Sequence, residues 1–388
     1  MRDKHMKELK TIDEFKTFLN SGAAWKDTAV LGLELTPFTG QLHSRNFKGS
    51  IFLGCRLTDE VILQVIDTGG LYFPEIKGLP YQPYQTGLYT RETLFAGFDP
   101  NNPDSYHETP DWKIYTHYVE NGKDYPASIL ESLSQRLHDF SITDALQDFL
   151  NHLPDKNKVI SVMGGHRLVR TSPDYKKVVQ ISYTLARAGY LMVSGGGPGA
   201  MEATHLGVWL SGYDLAGKDK EKLDEVLQLL EIAPTYEDPA WLSSAFRVIE
   251  KFPCIPYKNG QCESIGIPTW LYGHEPATPF ASKIAKYFAN SVREEGLLAI
   301  AKSGVIYAPG SAGTIQEIFQ DACQNHYKSF DFASPMVFLN EAYWKWIKPV
   351  YPLLAQLAVG KEYACLISIS DSVEEIVKAL KDFKPPVL

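Results

Sequence analysis

Two glycine-rich turns do most to limit what this chain can fold into. Each follows a short apolar run and opens a helical pattern. Residues 190–193 run into Ser194-Gly195-Gly196-Gly197-Pro198-Gly199, ahead of a helix over 200–210. Residues 305–308 run into Pro309-Gly310-Ser311-Ala312-Gly313-Thr314, ahead of a helix in which Glu317 stands about one turn in. Strand, glycine turn and helix in that order make half of a parallel β–α–β unit. With no Cβ in the way, such a turn lets the backbone approach a ligand closely. Ser311 and Thr314 are candidate caps for the second helix. Its free N–H groups and the positive end of its dipole point at one spot, which is an anion site. A carboxylate beside an anion site needs a reason. A phosphorylated sugar whose reactive carbon meets Glu317 supplies one.

The same alternation continues through the C-terminal part. Strands are expected at 159–163, ending in Gly164-Gly165, and at 264–268, 336–339 and 366–369. Helices are expected at 173–188, 280–302, 314–327, 342–359 and 372–383. Nearly continuous apolar strands alternating with helices predict an α/β, Rossmann-like doubly wound parallel sheet. Ligands then sit at the carboxyl ends of the strands. Residues 212–263 form a charged insertion with a solvated helix at 219–230.

Before residue 155 the chain is richer in aromatics, Gly and Pro, and an additional N-terminal α+β domain is expected over 1–154, with 155–388 as the nucleotide-binding catalytic domain. Short strands are expected at 29–35, 50–53 and 61–66, and helices at 12–21 and 126–153. The segment 79–118 is loop-rich and aromatic, which suits a surface packed on the other domain. No fixed-period repeat is evident.

Net charge is −8 over 388 residues. Nucleic-acid affinity rests mainly on phosphate neutralisation, so this balance favours a small ligand over a polymer. No stretch approaches the ~20 apolar residues of a membrane span, and the charged N-terminus has no apolar signal-peptide core. Five scattered cysteines suit a reducing compartment. A cytoplasmic protein is expected. Cys254 and Cys262 flank a turn at Lys258-Asn259-Gly260 and are read as two small apolar thiols, with a bridge between them as the alternative and no further ligands nearby for a metal.

The paired turns, 195–199 and 309–317, resemble those of the LOG family, long described as possible lysine decarboxylases. Its members include cytokinin riboside 5′-monophosphate phosphoribohydrolases and nucleotide 5′-monophosphate nucleosidases. The family pattern is G-G-G-x-x-G-x-M followed by P-G-G-x-G-T-x-x-E, and the resemblance covers residues 157–385. It implies Glu317 as a catalytic residue and an arginine on the preceding helix, here Arg293, as its partner. It implies substrate binding by Gly196, Gly197 and Gly199 in the first turn and by Gly310, Ser311, Gly313 and Thr314 in the second. Ser311 replaces the second glycine of the family motif. Arg293 is followed by Glu294-Glu295, and lies one residue further from Pro309 than in plant-type members. The resemblance also implies a homodimer or higher homo-oligomer. Gly164 and Gly165, at the same edge of the sheet, join the substrate-binding candidates.

The chemistry agrees with the resemblance. Breaking an N-glycosidic bond builds positive charge on ribose C1, and a carboxylate there stabilises that charge or deprotonates water. A 5′-phosphate held by helix N-termini orients the sugar. No metal or redox cofactor is required. Other roles stay open: Glu317 as a carboxylate complementing the helix dipole, Arg293 in a surface ion pair, Arg167 and Arg170 on phosphate or in solvent, Glu202 on the ribose hydroxyls, and His274-Glu275 as base or sugar contacts or as a turn. The functional alternative is a nucleotide-binding module without turnover. Decarboxylation would need a pyridoxal phosphate lysine, and no lysine stands in a convincing context.

Overall fold

The computed structural model describes residues 6–213, 219–253 and 263–385. It is a mixed α/β structure with two sheets, and in both the named strands pair parallel. The chain divides into two compact units: Met1–Leu88 with Tyr125–Asp148, and Tyr89–Asp124 with Phe149–Leu388. The division is therefore interleaved, in contrast to the contiguous 1–154 and 155–388 expected from composition. Among the described residues no helix is long and apolar enough to cross a membrane.

The first unit holds strands β1 (Lys7–Leu9), β2 (Thr28–Leu31), β3 (Ser50–Leu53) and β4 (Leu71–Phe73), side by side in chain order. The helix Ile12–Ser21 starts at a capping box, Thr11 with Glu14, and stops at Gly22 in a left-handed conformation. The apolar run 61–66, expected as a strand, lies in the helix Asp59–Asp67. Val61 and Val65, one turn apart, are its buried pair, and Asp59 and Glu60 fill its first turn. With helices as crossovers the strands pair parallel, so the segregated α+β arrangement expected here is not the one formed. Trp25 centres the core, its ring 4.9 Å from Phe47 and 5.6 Å from Phe52.

This unit also contains a repeat, which the sequence pattern does not show. Thr28 lies beside Ser50 and Ile51 beside Leu71, one strand per 20 to 22 residues. The runs Val30-Leu31-Gly32-Leu33-Glu34-Leu35-Thr36 and Phe52-Leu53-Gly54-Cys55-Arg56-Leu57-Thr58 occupy equivalent places. Gly32 and Gly54 both have φ +64°, a conformation that costs other residues strain. Stacked units of this period bury a face that none can bury alone.

The second unit holds β5 (Val159–Met163), β6 (Leu191–Ser194), β7 (Ser264–Gly266), β8 (Lys283–Ile284), β9 (Val305–Tyr307), β10 (Met336–Leu339) and β11 (Ile367–Ser370), in the order β11-β10-β9-β5-β6-β7-β8. The chain starts in the middle, winds outward to β8, then returns to the other side of β5. This is the expected doubly wound sheet, and the reversal falls between β5 and β9. Every residue of β5, β6, β9 and β10 is buried, since helices cover both faces. The helix Pro173–Arg187 begins at the Ser172 cap with proline in its first turn, and buries Tyr175, Val178, Val179 and Leu185.

Two long helices expected here are broken. The stretch 280–302 gives up its first part to β8, leaving the helix Asn290–Ala299. The stretch 342–359 is a wide turn, Tyr343–Ile347, then the helix Val350–Leu357, with Pro349 between them unable to continue a helical ladder. The insertion contributes the helices Asp219–Leu230 and Trp241–Lys251. Cys254 and Cys262 lie outside the described residues.

Candidate functional site

The glycine turns meet at the carboxyl edge of the sheet, where the winding reverses. Gly165, just past β5, donates its N–H to the Pro309 carbonyl at 3.0 Å. A Cβ on Gly165 would lie 3.2 Å from Gly310 Cα, so the ends of β5 and β9 touch. Gly199 closes the turn after β6 onto the same point. Its φ is +68°, and a Cβ there would strike the Gly165 carbonyl oxygen at 2.3 Å. That oxygen accepts from Ala200 N–H at 3.2 Å, the first residue of the helix Ala200–Gly212. Gly164 is enclosed by Ala200 and Ala308.

Some of these glycines have a part in holding the turns together. Gly165 spends its N–H on Pro309. Gly196 donates to Ser194 Oγ at 3.1 Å, and that hydroxyl is 2.8 Å from His205 Nε2. His205 Nδ1 is 2.8 Å from Ser264 Oγ. Burial pushes His205 down to about 3, so the ring is neutral and the link from β6 to β7 carries no charge. Gly164, Gly165 and Gly196, expected at the substrate, hold the turns together by packing and hydrogen bonds.

The second turn is different. The helix Ala312–Tyr327 has no side-chain cap at Ser311, contrary to expectation, and its first backbone bond is Ile315 N–H to Ser311 O at 2.9 Å. The N–H groups of Ala312, Gly313 and Thr314 precede it and have no intrahelical acceptor. The space over Gly313 is open. Thr314 is buried against Gly310. The Ser311 hydroxyl accepts from Lys348 Nζ at 3.1 Å, and the Tyr343 hydroxyl donates to the Gly310 carbonyl. Lys348 is a positive group at the helix start that sequence spacing could not supply, because 37 residues separate it from Ser311.

Glu317 projects from this helix with its side chain 13% exposed, and Arg293 Nη1 lies 3.6 Å from its Oε1. Arg293, 8% exposed, comes from the helix Asn290–Ala299. Asn290 Oδ1 accepts from its Nε at 3.2 Å and its Nη2 at 2.8 Å, which fixes the guanidinium. Glu294 is 3.7 Å from Arg293, and accepts from Asn290 at 2.8 Å and Gln316 at 2.9 Å. Burial raises the Glu317 carboxyl to about 7, against the pull of Arg293 and with a smaller push from Glu294. One turn on, Asp321 accepts from the Tyr307 hydroxyl at 2.6 Å and is raised to about 7, chiefly by burial. The structure thus brings Glu317 and Arg293 together despite the extra residue before Pro309.

A second carboxylate faces the first turn. Thr278 N–H bonds to Gly196 O at 2.8 Å and holds the loop bearing Glu275 against the glycines. A Cβ on Gly197 would lie 4.0 Å from Glu275 Oε2. Oε1 is 3.8 Å from His166 Nδ1 and 3.8 Å from His274 Nε2. Next to His166, a cleft of about 330 Å³ is lined by Arg167, Leu168, Gly199, Thr235, Tyr236 and Trp241, among others.

Two further candidates, at the wall of this cleft, are engaged with each other. Arg170 and Glu202 are buried against each other, Nε to Oε2 at 2.9 Å, with Tyr175 donating to Glu202 at 2.8 Å and Arg170 donating to Ser244 and the Ala233 carbonyl. This network ties the insertion to the sheet and leaves neither group in solvent or free for a ligand. The acidic cluster Glu8, Asp144 and Asp148 belongs to the first unit, and Lys10 Nζ fills it, 2.5 Å from Glu8 and Asp148 and 3.3 Å from Asp144.

The sequence matches no family model and no curated protein. Solved structures similar to it include the molybdenum cofactor binding protein from the phototrophic bacterium Rippkaea orientalis, 18% identical, with a TM-score of 0.35 over 57% of this chain and 94% of that one. The molybdenum cofactor carrier protein of Chlamydomonas reinhardtii is 14% identical, with a TM-score of 0.34 over 57% of this chain and 96% of that one. Likeness at this level carries nothing about chemistry.

Proposed function

We propose that this chain is a LOG-type enzyme that hydrolyses nucleoside 5′-monophosphates to free base and ribose 5-phosphate. The observation that carries the reading is the largely enclosed Glu317–Arg293 pair, with Glu317 on the helix whose uncapped N-terminus lies at the junction of the glycine turns. The 5′-phosphate takes the N–H groups of residues 312–314 and the Lys348 ammonium, with the helix dipole behind them. The ribose then extends toward Glu317. As the bond from C1 to the base nitrogen lengthens, charge grows on C1, and the ionised Glu317 stabilises it and takes a proton from the attacking water. Arg293 holds Glu317 in place and favours its ionised form. Gly310, Ser311, Gly313 and Thr314 shape the phosphate turn, and Gly197 and Gly199 the sugar side. The chain's residues need no metal for these steps. A cytoplasmic homo-oligomer belongs to the same reading.

Incubation with AMP, GMP, CMP and UMP, followed by chromatography for free base, tests the proposal. Base release by the natural protein and its loss in Glu317→Gln are expected. Nucleotide binding without base release would identify a non-catalytic binding module instead.

A further inference from the structure

We propose that Glu275 is a second catalytic residue, the acid that protonates the departing base. This rests on the hydrolytic reading above and extends it from the attacked carbon to the leaving group. A Cβ on Gly195 would lie 3.5 Å from Arg293 Nη1, and one on Gly197 would lie 4.0 Å from Glu275 Oε2. Two residues of chain span at most about 7 Å. Arg293, which holds Glu317, and Glu275 therefore lie against the two ends of one short turn. The Met201 side chain lies against the same turn, its sulfur 2.7 Å from where a Gly195 Cβ would stand and its methyl 3.0 Å from a Gly197 Cβ, an apolar contact for the sugar.

The surroundings suit a proton donor. Glu275 is 13% exposed on its side chain. The groups around it are His166 and His274, each at 3.8 Å, with Arg167 and Tyr236 further off. Burial raises its carboxyl to about 7, against the pull of Arg167, so a substantial part stays protonated near neutrality. His166 and His274 are both partly exposed and give a route for reprotonation from solvent.

The step balances. The C1–N bond breaks and its electron pair goes to the base. Glu275 gives its proton to a base nitrogen or carbonyl oxygen and becomes a carboxylate. Water oxygen bonds C1, and its proton passes to Glu317. Solvent returns one proton to Glu275 and takes one from Glu317. Two carboxyls in opposite protonation states divide acid and base work in this way in glycoside hydrolysis.

The test compares leaving groups. Nucleotide bases need protonation to depart, whereas 4-nitrophenolate does not. Glu275→Gln should lower kcat on AMP and CMP by about 10²-fold or more, yet keep activity on 4-nitrophenyl β-D-ribofuranoside 5-phosphate within a few-fold. Retained cleavage of that aryl glycoside also shows that the variant is folded. Glu317→Gln should lose both activities. The natural enzyme's kcat on AMP should fall as pH rises past 7, and Glu275→Gln should lack that alkaline limb. Equal losses on both substrates, or none on either, overturn the role of Glu275 while leaving Glu317 in place. A natural protein inactive on nucleotides and on the nitrophenyl substrate overturns the hydrolytic reading itself, and the assignment of Glu275 with it.

Discussion

Replacing Glu317 by glutamine should stabilise this protein, by an amount that depends on pH. In an unfolded chain the carboxyl has its ordinary value of 4.5, and in the folded protein burial raises it to about 7. Below pH 4.5 both states hold the proton, and the group adds no pH dependence. Between 4.5 and 7 the unfolded chain releases its proton while the folded one keeps it, so stability falls as pH rises. Above about 7 the loss is complete. A shift of one unit corresponds to 1.36 kcal/mol, which makes the full loss roughly 3 kcal/mol. The side chain is 13% exposed, and solvent screening trims this to about 2–3 kcal/mol. Glutamine has the same shape and cannot ionise. Urea unfolding followed by tryptophan fluorescence should give equal midpoints for the two proteins at pH 4.5 and a higher midpoint for Glu317→Gln at pH 8. A variant no more stable than the natural protein at pH 8 would refute the claim that the carboxyl is held against its own desolvation. Gain of stability with loss of base release is the signature of a strained functional group.

Three further outcomes are expected. Gly199→Ala places a methyl 2.3 Å from a carbonyl oxygen at φ +68°, and should cost about 3 kcal/mol or more in chemical denaturation, whereas Gly189→Ala, at φ +84° in open space, should cost about 1–2 kcal/mol. Arg170→Ala leaves Glu202 buried without its partner and should cost about 3–5 kcal/mol in the same assay, whereas the double change Arg170→Met with Glu202→Leu should recover much of it. Lys348→Ala should weaken ribose 5-phosphate binding by about 10-fold in calorimetry, in line with loss of one charge-assisted contact, and should leave ribose binding unchanged.

The doubly wound sheet was legible because its strands are short, wholly apolar and separated by helical patterns. β5, β10 and the helix Ile12–Ser21 have the bounds read from sequence. Failures came where an apolar run allows two periods. Residues 61–66 are apolar enough for a strand, but the acidic pair before them and the buried Val61 and Val65 decide for a helix. The repeat in the first unit is faint in the sequence because the equivalent runs keep only Leu-Gly and Leu-Thr in common, while buried Leu33 is matched by Cys55 and Glu34 by Arg56. At the site, Glu317 and Arg293 carry a local signal, a motif and a helix. Lys348 carries none, since its role comes from a wide turn that delivers it to Ser311. Glu275 stood out only as one half of a His-Glu pair after a strand, and its approach to Gly197 depends on the backbone bond from Thr278 to Gly196.

The interleaving of the two units governs how the molecule can be divided and in what order it can be completed. Asp111, from the stretch 89–124, accepts from Lys286 Nζ at 2.6 Å and from Trp270 at 3.2 Å in the interior of the larger unit. A fragment beginning at residue 155 would bury that lysine with no counter-ion. On the ribosome, the smaller unit lacks its last piece until Asp148 has been made, and residues 89–124 must wait for strands synthesised much later. Dissection of this protein by expression of separate halves should yield aggregates, since the four segments alternate between the units and even a circularly permuted gene leaves no single cut that separates them.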